Sequence, residues 1–157
     1  MVENDSTGKP LLKVINPDVD ISGRGGKEQI IVDKLFEGQL TRVHREMYDA
    51  VDMNGIKYEL KKQQNLNWFD PRKYAEFGKK TGLVKILFIV WEKEIGVTLV
   101  ASTYTWQFAE KLFPDKLIDL AIQIKDISPK TQLKHPLYVK KYIEENTDTV
   151  DILYERK

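Results

Sequence analysis

Two acids and a lysine stand where hydrolytic chemistry could be done: Asp49, Glu59 and Lys61, inside the run Asp49-Ala50-Val51-Asp52-Met53-Asn54-Gly55-Ile56-Lys57-Tyr58-Glu59-Leu60-Lys61. Asn54-Gly55 is a strong hairpin signal. A three-residue loop, Met53-Asn54-Gly55, with Gly55 left-handed would set Asp52 opposite Ile56 and Asp49 opposite Glu59. Side chains alternate along a strand, so Lys61 would share the face of Glu59, leaving Tyr48, Ala50, Tyr58 and Leu60 for a core. A strict two-residue turn would put the two acids on opposite faces, so their meeting depends on the loop. Opposed carboxylates repel each other, and a divalent cation between them removes that penalty. Oxygen-only ligands suit Mg²⁺, which keeps waters and takes its remaining ligands from a substrate phosphate, with Mn²⁺ expected to substitute. Such a metal polarises a phosphate and helps deprotonate water. Lys61 could orient that water or stabilise developing charge. An amphipathic hairpin whose charges merely face water has the same spacing.

The elements that must position these residues follow from pattern. A loop through Asn16-Pro17 and Ser22-Gly23-Arg24-Gly25-Gly26 precedes an expected helix from Lys27 to Glu37, stopped by Gly38. Leu40–Val43 reads as a short strand and Tyr48–Lys62 as the hairpin. Asp70-Pro71 is an N-cap followed by a first-turn proline, predicting a helix to Lys80. Leu83–Trp91 and Ile95–Ala101 predict two tightly connected strands. Helices are expected over Trp106–Phe113 and after Pro114. Pro136 is expected to open a last helix with Tyr138, Val139, Tyr142 and Ile143 on one face, and Val150–Tyr154 to form an edge strand. Strands flanked by helices indicate a mixed α/β domain. One domain over residues 1–157 is expected, with residues 1–20 as an arm or a dimerisation segment.

Composition narrows the functions available. The 157 residues are 41% hydrophobic and 31% charged, with a net charge of +1. Cysteine is absent, which removes disulfides and thiolate metal sites, and His44 and His135 alone make a histidine zinc site a poor expectation. No apolar run approaches the roughly 20 residues of a membrane helix. The polar start, Met1–Lys9, lacks the centre of a secretory signal, so an intracellular, cytoplasmic protein is expected. Basic residues cluster at Lys125, Lys130, Lys134, His135, Lys140 and Lys141, and again at Lys57, Lys61, Lys62, Arg72, Lys73, Lys79, Lys80 and Lys85. These are either solvated faces or phosphate contacts.

The Asp-x9-Glu-x-Lys pattern resembles the motif of the PD-(D/E)XK nucleases, without the proline before the first acid. The fuller stretch from Arg45-Glu46 through Asp49-Ala50-Val51-Asp52, Gly55 and Tyr58-Glu59-Leu60-Lys61 looks like the active-site hairpin of type II restriction endonucleases in that superfamily. Gly25-Gly26-Lys27 upstream is similar, as are Lys125-Asp126-Ile127, Pro129-Lys130, Pro136 and Tyr142 downstream. The resemblance implies a restriction-endonuclease-like fold with a mixed central sheet flanked by helices. It also implies a homodimer cutting both strands of a short palindromic double-stranded DNA site with Mg²⁺. Asp49 and Glu59 would hold metal, Lys61 would serve the water, and Glu46 would support a second metal or a contact behind the ligands, a surface acid in the turn before the strand being the alternative. A companion DNA methyltransferase is expected only by analogy. A junction resolvase, nickase or repair nuclease of the same superfamily is the alternative, and a non-catalytic DNA-binding module a more distant one.

The departures from that family lie in base reading. The family's histidine run after the catalytic strand is absent, and Lys62-Gln63-Gln64-Asn65-Leu66-Asn67-Trp68 occupies its place. Gln and Asn can pair with adenine edges and Lys with guanine. Lys62, Gln63, Gln64, Asn65 and Asn67 are therefore candidates for DNA contact, or members of a polar loop. In the C-terminal stretch Ser128, Lys130, Thr131, Gln132 and Lys134 stand near the family's base-reading asparagines, so no target sequence carries over. Ile30, Ile31, Leu35 and Phe36 would serve either a dimer interface or the core.

Overall fold

The structure is a computed structural model, and it describes residues 4–45, 48–69, 84–112, 123 and 135–157. In chain order the strands are β1 (Leu40–Arg42), β2 (Ala50–Asp52), β3 (Lys57–Gln63), β4 (Leu66–Phe69), β5 (Val84–Glu92), β6 (Gly96–Tyr104), β7 (His135–Tyr138) and β8 (Asp151–Glu155). Helix α1 (Glu28–Ile30) runs on as a π-helical turn, Ile31–Leu35. It is followed along the chain by α2 (Thr105–Leu112) and α3 (Val139–Glu145).

A mixed sheet of six strands, ordered β1-β2-β3-β5-β6-β8, organises the domain, and β4 pairs with β7 in a separate two-stranded ribbon. Residues Val84–Val90 are buried without a break, so β5 takes a central place with both faces covered. It lies parallel to β3 and antiparallel to β6. Alternation along β5 divides the core. Leu87 and Ile89 join Tyr58, Leu60, Ile31, Leu35 and Phe36 on one face. Ile86, Phe88 and Val90 join Phe108, Val139, Tyr142 and Ile143 on the other. On this second face Phe88, Phe108 and Tyr142 make edge-on and tilted ring contacts, with centroids 5.3–6.3 Å apart.

An α/β domain with a mixed sheet was the expectation, and most described elements fall where pattern puts them. Gly38, at φ 77°, ends the first helix as expected. The last turn of that helix is wider than an α-helix, with the Phe36 N–H donating to Ile31 O at 3.1 Å. Ile31, Leu35 and Phe36 are fully buried, which assigns them to the core and not to a dimer interface.

Two expectations need correction. Pro136 does not open a helix: it lies in β7, opposite Trp68, and α3 begins at Val139. Tyr138 is accordingly not on the buried helix face but 57% exposed. The stretch from Lys62 to Trp68 is not a loop either, since β3 extends through Gln63 and β4 starts at Leu66. The expected helices at 71–80 and after Pro114 lie outside the described residues.

The N-terminal segment packs against the sheet, burying Leu12, Val19 and Ile21. Its anchor is Asp5, whose side chain and that of Lys85 on β5 are each 1% exposed and form an ion pair. Lys85 therefore is not a phosphate contact. The Tyr104 hydroxyl donates to Asp5 Oδ2 at 2.8 Å, and the backbone N–H groups of Thr7 and Lys9 donate to Oδ1. Lys85 also lies 4.9 Å from the Tyr104 ring centroid. Burial alone would raise the Asp5 carboxyl, but hydrogen bonds from Lys85, Thr7, Tyr104 and Lys9 outweigh it and hold the group well below the usual carboxylate range.

Candidate active site

The hairpin that carries the candidate residues closes as a three-residue loop would. Gly55, at φ 81°, supplies the left-handed residue. Asp52 N–H donates to Ile56 O at 2.9 Å, and the ladder continues Val51↔Lys57 and Ala50↔Tyr58. Asp52 also holds the turn through its side chain. Its Oδ1 accepts the N–H groups of Asn54 and Ile56, and its Oδ2 accepts the Tyr58 hydroxyl at 3.1 Å. Burial, then the Asp52 charge, pushes the Tyr58 phenol far above its ordinary value, so it stays a donor.

Beyond Ala50 the two strands change partnership. The N–H of Asp49 still donates to Tyr58 O at 2.8 Å, and the Asp49 carboxylate turns onto the neighbouring strand, where Oδ2 accepts the Leu60 N–H at 2.8 Å. That bond fixes one acid against the backbone between the other two candidates, Glu59 and Lys61. Glu59 is 6% exposed, and its Oε1 lies 3.8 Å from Lys61 Nζ. In the parallel ladder Glu59 stands beside Ile86, Lys61 beside Phe88 and Gln63 beside Val90. A polar stripe therefore runs along β3 next to an apolar stripe on β5, with Glu59 and Gln63 both buried. Polar groups buried at this depth require partners, and Lys61 is one such partner for Glu59.

The donors present decide whether a divalent cation fits. Among the described residues no three His, Cys, Asp or Glu side chains gather as a metal-holding group. Two carboxylates are what Mg²⁺ commonly takes from protein, the rest being water and substrate oxygen. Asp49, immediately before β2, and Glu59, on β3, are hard oxygen donors and fit that demand. Glu46 lies outside the described residues.

The DNA-contact candidates separate. Lys62 points to the opposite face, where its Nζ donates to Ile21 O at 2.7 Å and Gly23 O at 2.9 Å and sits 5.4 Å from the Trp91 ring centroid. Partial burial, and then the like charge of Lys27, lowers its pKa, against opposing effects of Glu28 and Asp20. Gln64 is exposed. Asn65 is committed to α3: its Oδ1 accepts the Lys140 N–H at 3.0 Å and its carbonyl the Val139 N–H at 2.9 Å. Asn67 pairs with Leu137 in the ribbon. Ser128, Lys130, Thr131, Gln132 and Lys134 lie outside the described residues. Of the basic clusters, Lys140 pairs with Glu92 at 2.9 Å, and Lys141 lies 4.0 Å from Glu145. Two hollows of about 400 and 410 Å³ lie elsewhere, the first by Asp18, Asp20 and Trp91 and the second by Leu99, Ile143 and Ile152.

Spacing could reveal the triad but not the side-chain bond from Asp49 to the Leu60 amide. Nor could it reveal the engagement of Lys62, because nothing local marks residues 21–23 as its partners. Lys85 did carry a signal: one charge within an otherwise apolar central strand requires a buried counter-charge.

The class these features define is a mixed α/β domain in which an acid just before β2 bonds to the strand β3 that carries a second acid and a lysine. No protein-family model matches the chain, and no curated protein sequence is significantly similar to it. No helix among the described residues is long and apolar enough to cross a membrane.

Proposed function

We propose that the protein is a Mg²⁺-dependent endonuclease of the PD-(D/E)XK type, hydrolysing phosphodiester bonds at a short site in double-stranded DNA. The observation that carries this reading is the Asp49 carboxylate bound to the Leu60 amide, which holds it beside Glu59 while Glu59 contacts Lys61. Asp49 and Glu59 are the residues that would hold the metal. When bound, Mg²⁺ supplies charge to polarise the scissile phosphate and lower the pKa of a water. Lys61 orients the attacking water and stabilises negative charge as it grows on the phosphate oxygens. Phe88, next to Lys61 in the ladder, keeps the floor of the site apolar, which strengthens each of these interactions.

A second feature supports a duplex substrate. The catalytic strand leads within a few residues into the β4–β7 ribbon, and a two-stranded ribbon is one of the elements the major groove admits. Leu66 and Tyr138 face each other across it and are both exposed, at 43% and 57%. A two-fold dimer would match a palindromic site, each subunit cutting one strand.

The test is digestion of supercoiled plasmid and linear phage DNA with Mg²⁺ or EDTA, beside a Lys61→Ala variant. Discrete fragments that vanish with EDTA and fall by about 100-fold or more with the variant are expected. Nicking without discrete fragments would instead favour a structure-specific or nicking nuclease. A folded protein that cleaves no DNA with Mg²⁺ or Mn²⁺ would remove the catalytic reading.

A further inference from the structure

We infer that Lys62 is a positioning residue for the catalytic strand, clamping it from behind, and is not a DNA contact. The inference rests on the nuclease reading for its consequence but on geometry for its substance. Ladder pairing of β3 with β2 covers Lys57 and Tyr58, whereas pairing with β5 continues to Gln63. After the Asp49–Leu60 bond, the segment Lys61–Gln63 is laddered on its β5 side alone among the described residues. Lys61 therefore follows directly on the Asp49–Leu60 contact, on a strand laddered to β5.

Lys62 supplies an anchor at that point. Side chains alternate, so fixing Lys62 on one face fixes the roll of the strand that sends Lys61 to the other. Its ammonium is held by the carbonyls of Ile21 and Gly23 and lies near Trp91 on β5, so that one cation joins β3, β5 and the N-terminal segment. The segment it grips is firmly seated, Ile21 being 1% exposed and part of the core. Charge-assisted hydrogen bonds of this kind are among the stronger ones a side chain makes. An ammonium so engaged has little left to offer a phosphate. Loss of the clamp would let Lys61 drift relative to Glu59, and misplacement by about 1 Å can lower a rate by about 100-fold.

The experiment compares wild type, Lys62→Met and Lys62→Arg in single-turnover cleavage with Mg²⁺. Duplex binding in EDTA over a salt series and amide hydrogen exchange are measured on the same proteins. Met keeps an apolar stem near Trp91, and Arg restores donors for both carbonyls. Expected for Lys62→Met is a rate lowered by about 10- to 100-fold at unchanged DNA affinity and salt slope. Faster exchange at residues 22–24 and 61–63 should accompany it, and both effects should be largely reversed in Lys62→Arg. Weakened binding with a salt slope smaller by about 1 would make Lys62 a phosphate contact and overturn the inference. Unchanged exchange would overturn the clamp whatever the cleavage result. Absence of cleavage by the wild type would remove the nuclease reading, and with it the role in catalysis, while exchange still decides whether the clamp exists.

Discussion

At the scale of single residues, buried charges among the described residues stand in two places, and they answer to different demands. Asp5 and Lys85 are structural: each is 1% exposed, and Tyr104 and the 7–9 backbone complete the set around Asp5. Removing one member of such a pair strands the other's charge, which costs about 3–5 kcal/mol. Asp5→Ala should therefore be destabilised by that amount in urea unfolding, whereas Asp5→Leu combined with Lys85→Met should recover most of it. The pair also sets a pH dependence. The folded pKa of Asp5 is depressed, so its contribution is complete above the ordinary carboxylate range and is lost as pH falls toward the folded value. Stability should decline below about pH 5, and the decline should be shallower in the double variant. Asp151, whose carboxyl is raised by burial against the attraction of Lys85, works in the opposite sense and offsets part of that decline.

At the scale of elements, the hairpin and the ribbon show what pattern can and cannot reveal. The Met53-Asn54-Gly55 loop, the register Ala50↔Tyr58 and the shared face of Glu59 and Lys61 all follow from one turn signal and strict alternation. Gly55→Val should lower stability by about 1–2 kcal/mol, since φ of 81° is strained for a β-branched residue, and thermal melting would register it. The ribbon was illegible because β4 finds its partner about seventy residues on, at β7, and a proline in β7 reads as a helix start when its strand partner is unknown. Polar residues in such a stretch look like a reading surface for the same reason. Asn65 is instead a cap supplied to α3 from a distant part of the chain. Asn65→Ala should cost about 1 kcal/mol through the exposed start of that helix and leave the cleavage pattern on plasmid DNA unchanged. A changed set of fragments would return Asn65 to base reading.

At the scale of the molecule, the proposed function sets stability against chemistry at the candidate site, and a bound metal is what would reconcile them. Asp49, just before β2, and Glu59, on β3, supply two carboxylates, one fastened to the Leu60 amide and one 6% exposed, with Lys61 3.8 Å from Glu59. Like charges brought close oppose folding, so on the proposed reading a bound cation should relieve that opposition. Binding confined to the folded state raises stability by about 2.7 kcal/mol at a ligand concentration one hundred times Kd. Thermal unfolding should thus shift upward with Mg²⁺ and with Mn²⁺, without any DNA present. Glu59→Gln, which keeps the shape and removes one charge, should melt higher than wild type in EDTA and show a much weaker response to Mg²⁺. The two effects together distinguish a metal site from general screening, because added monovalent salt at matched ionic strength would relieve repulsion in the wild type and leave no saturable shift. If wild type and Glu59→Gln rise equally with Mg²⁺, the cation is bound elsewhere, and Asp49 and Glu59 lose their assignment as its ligands.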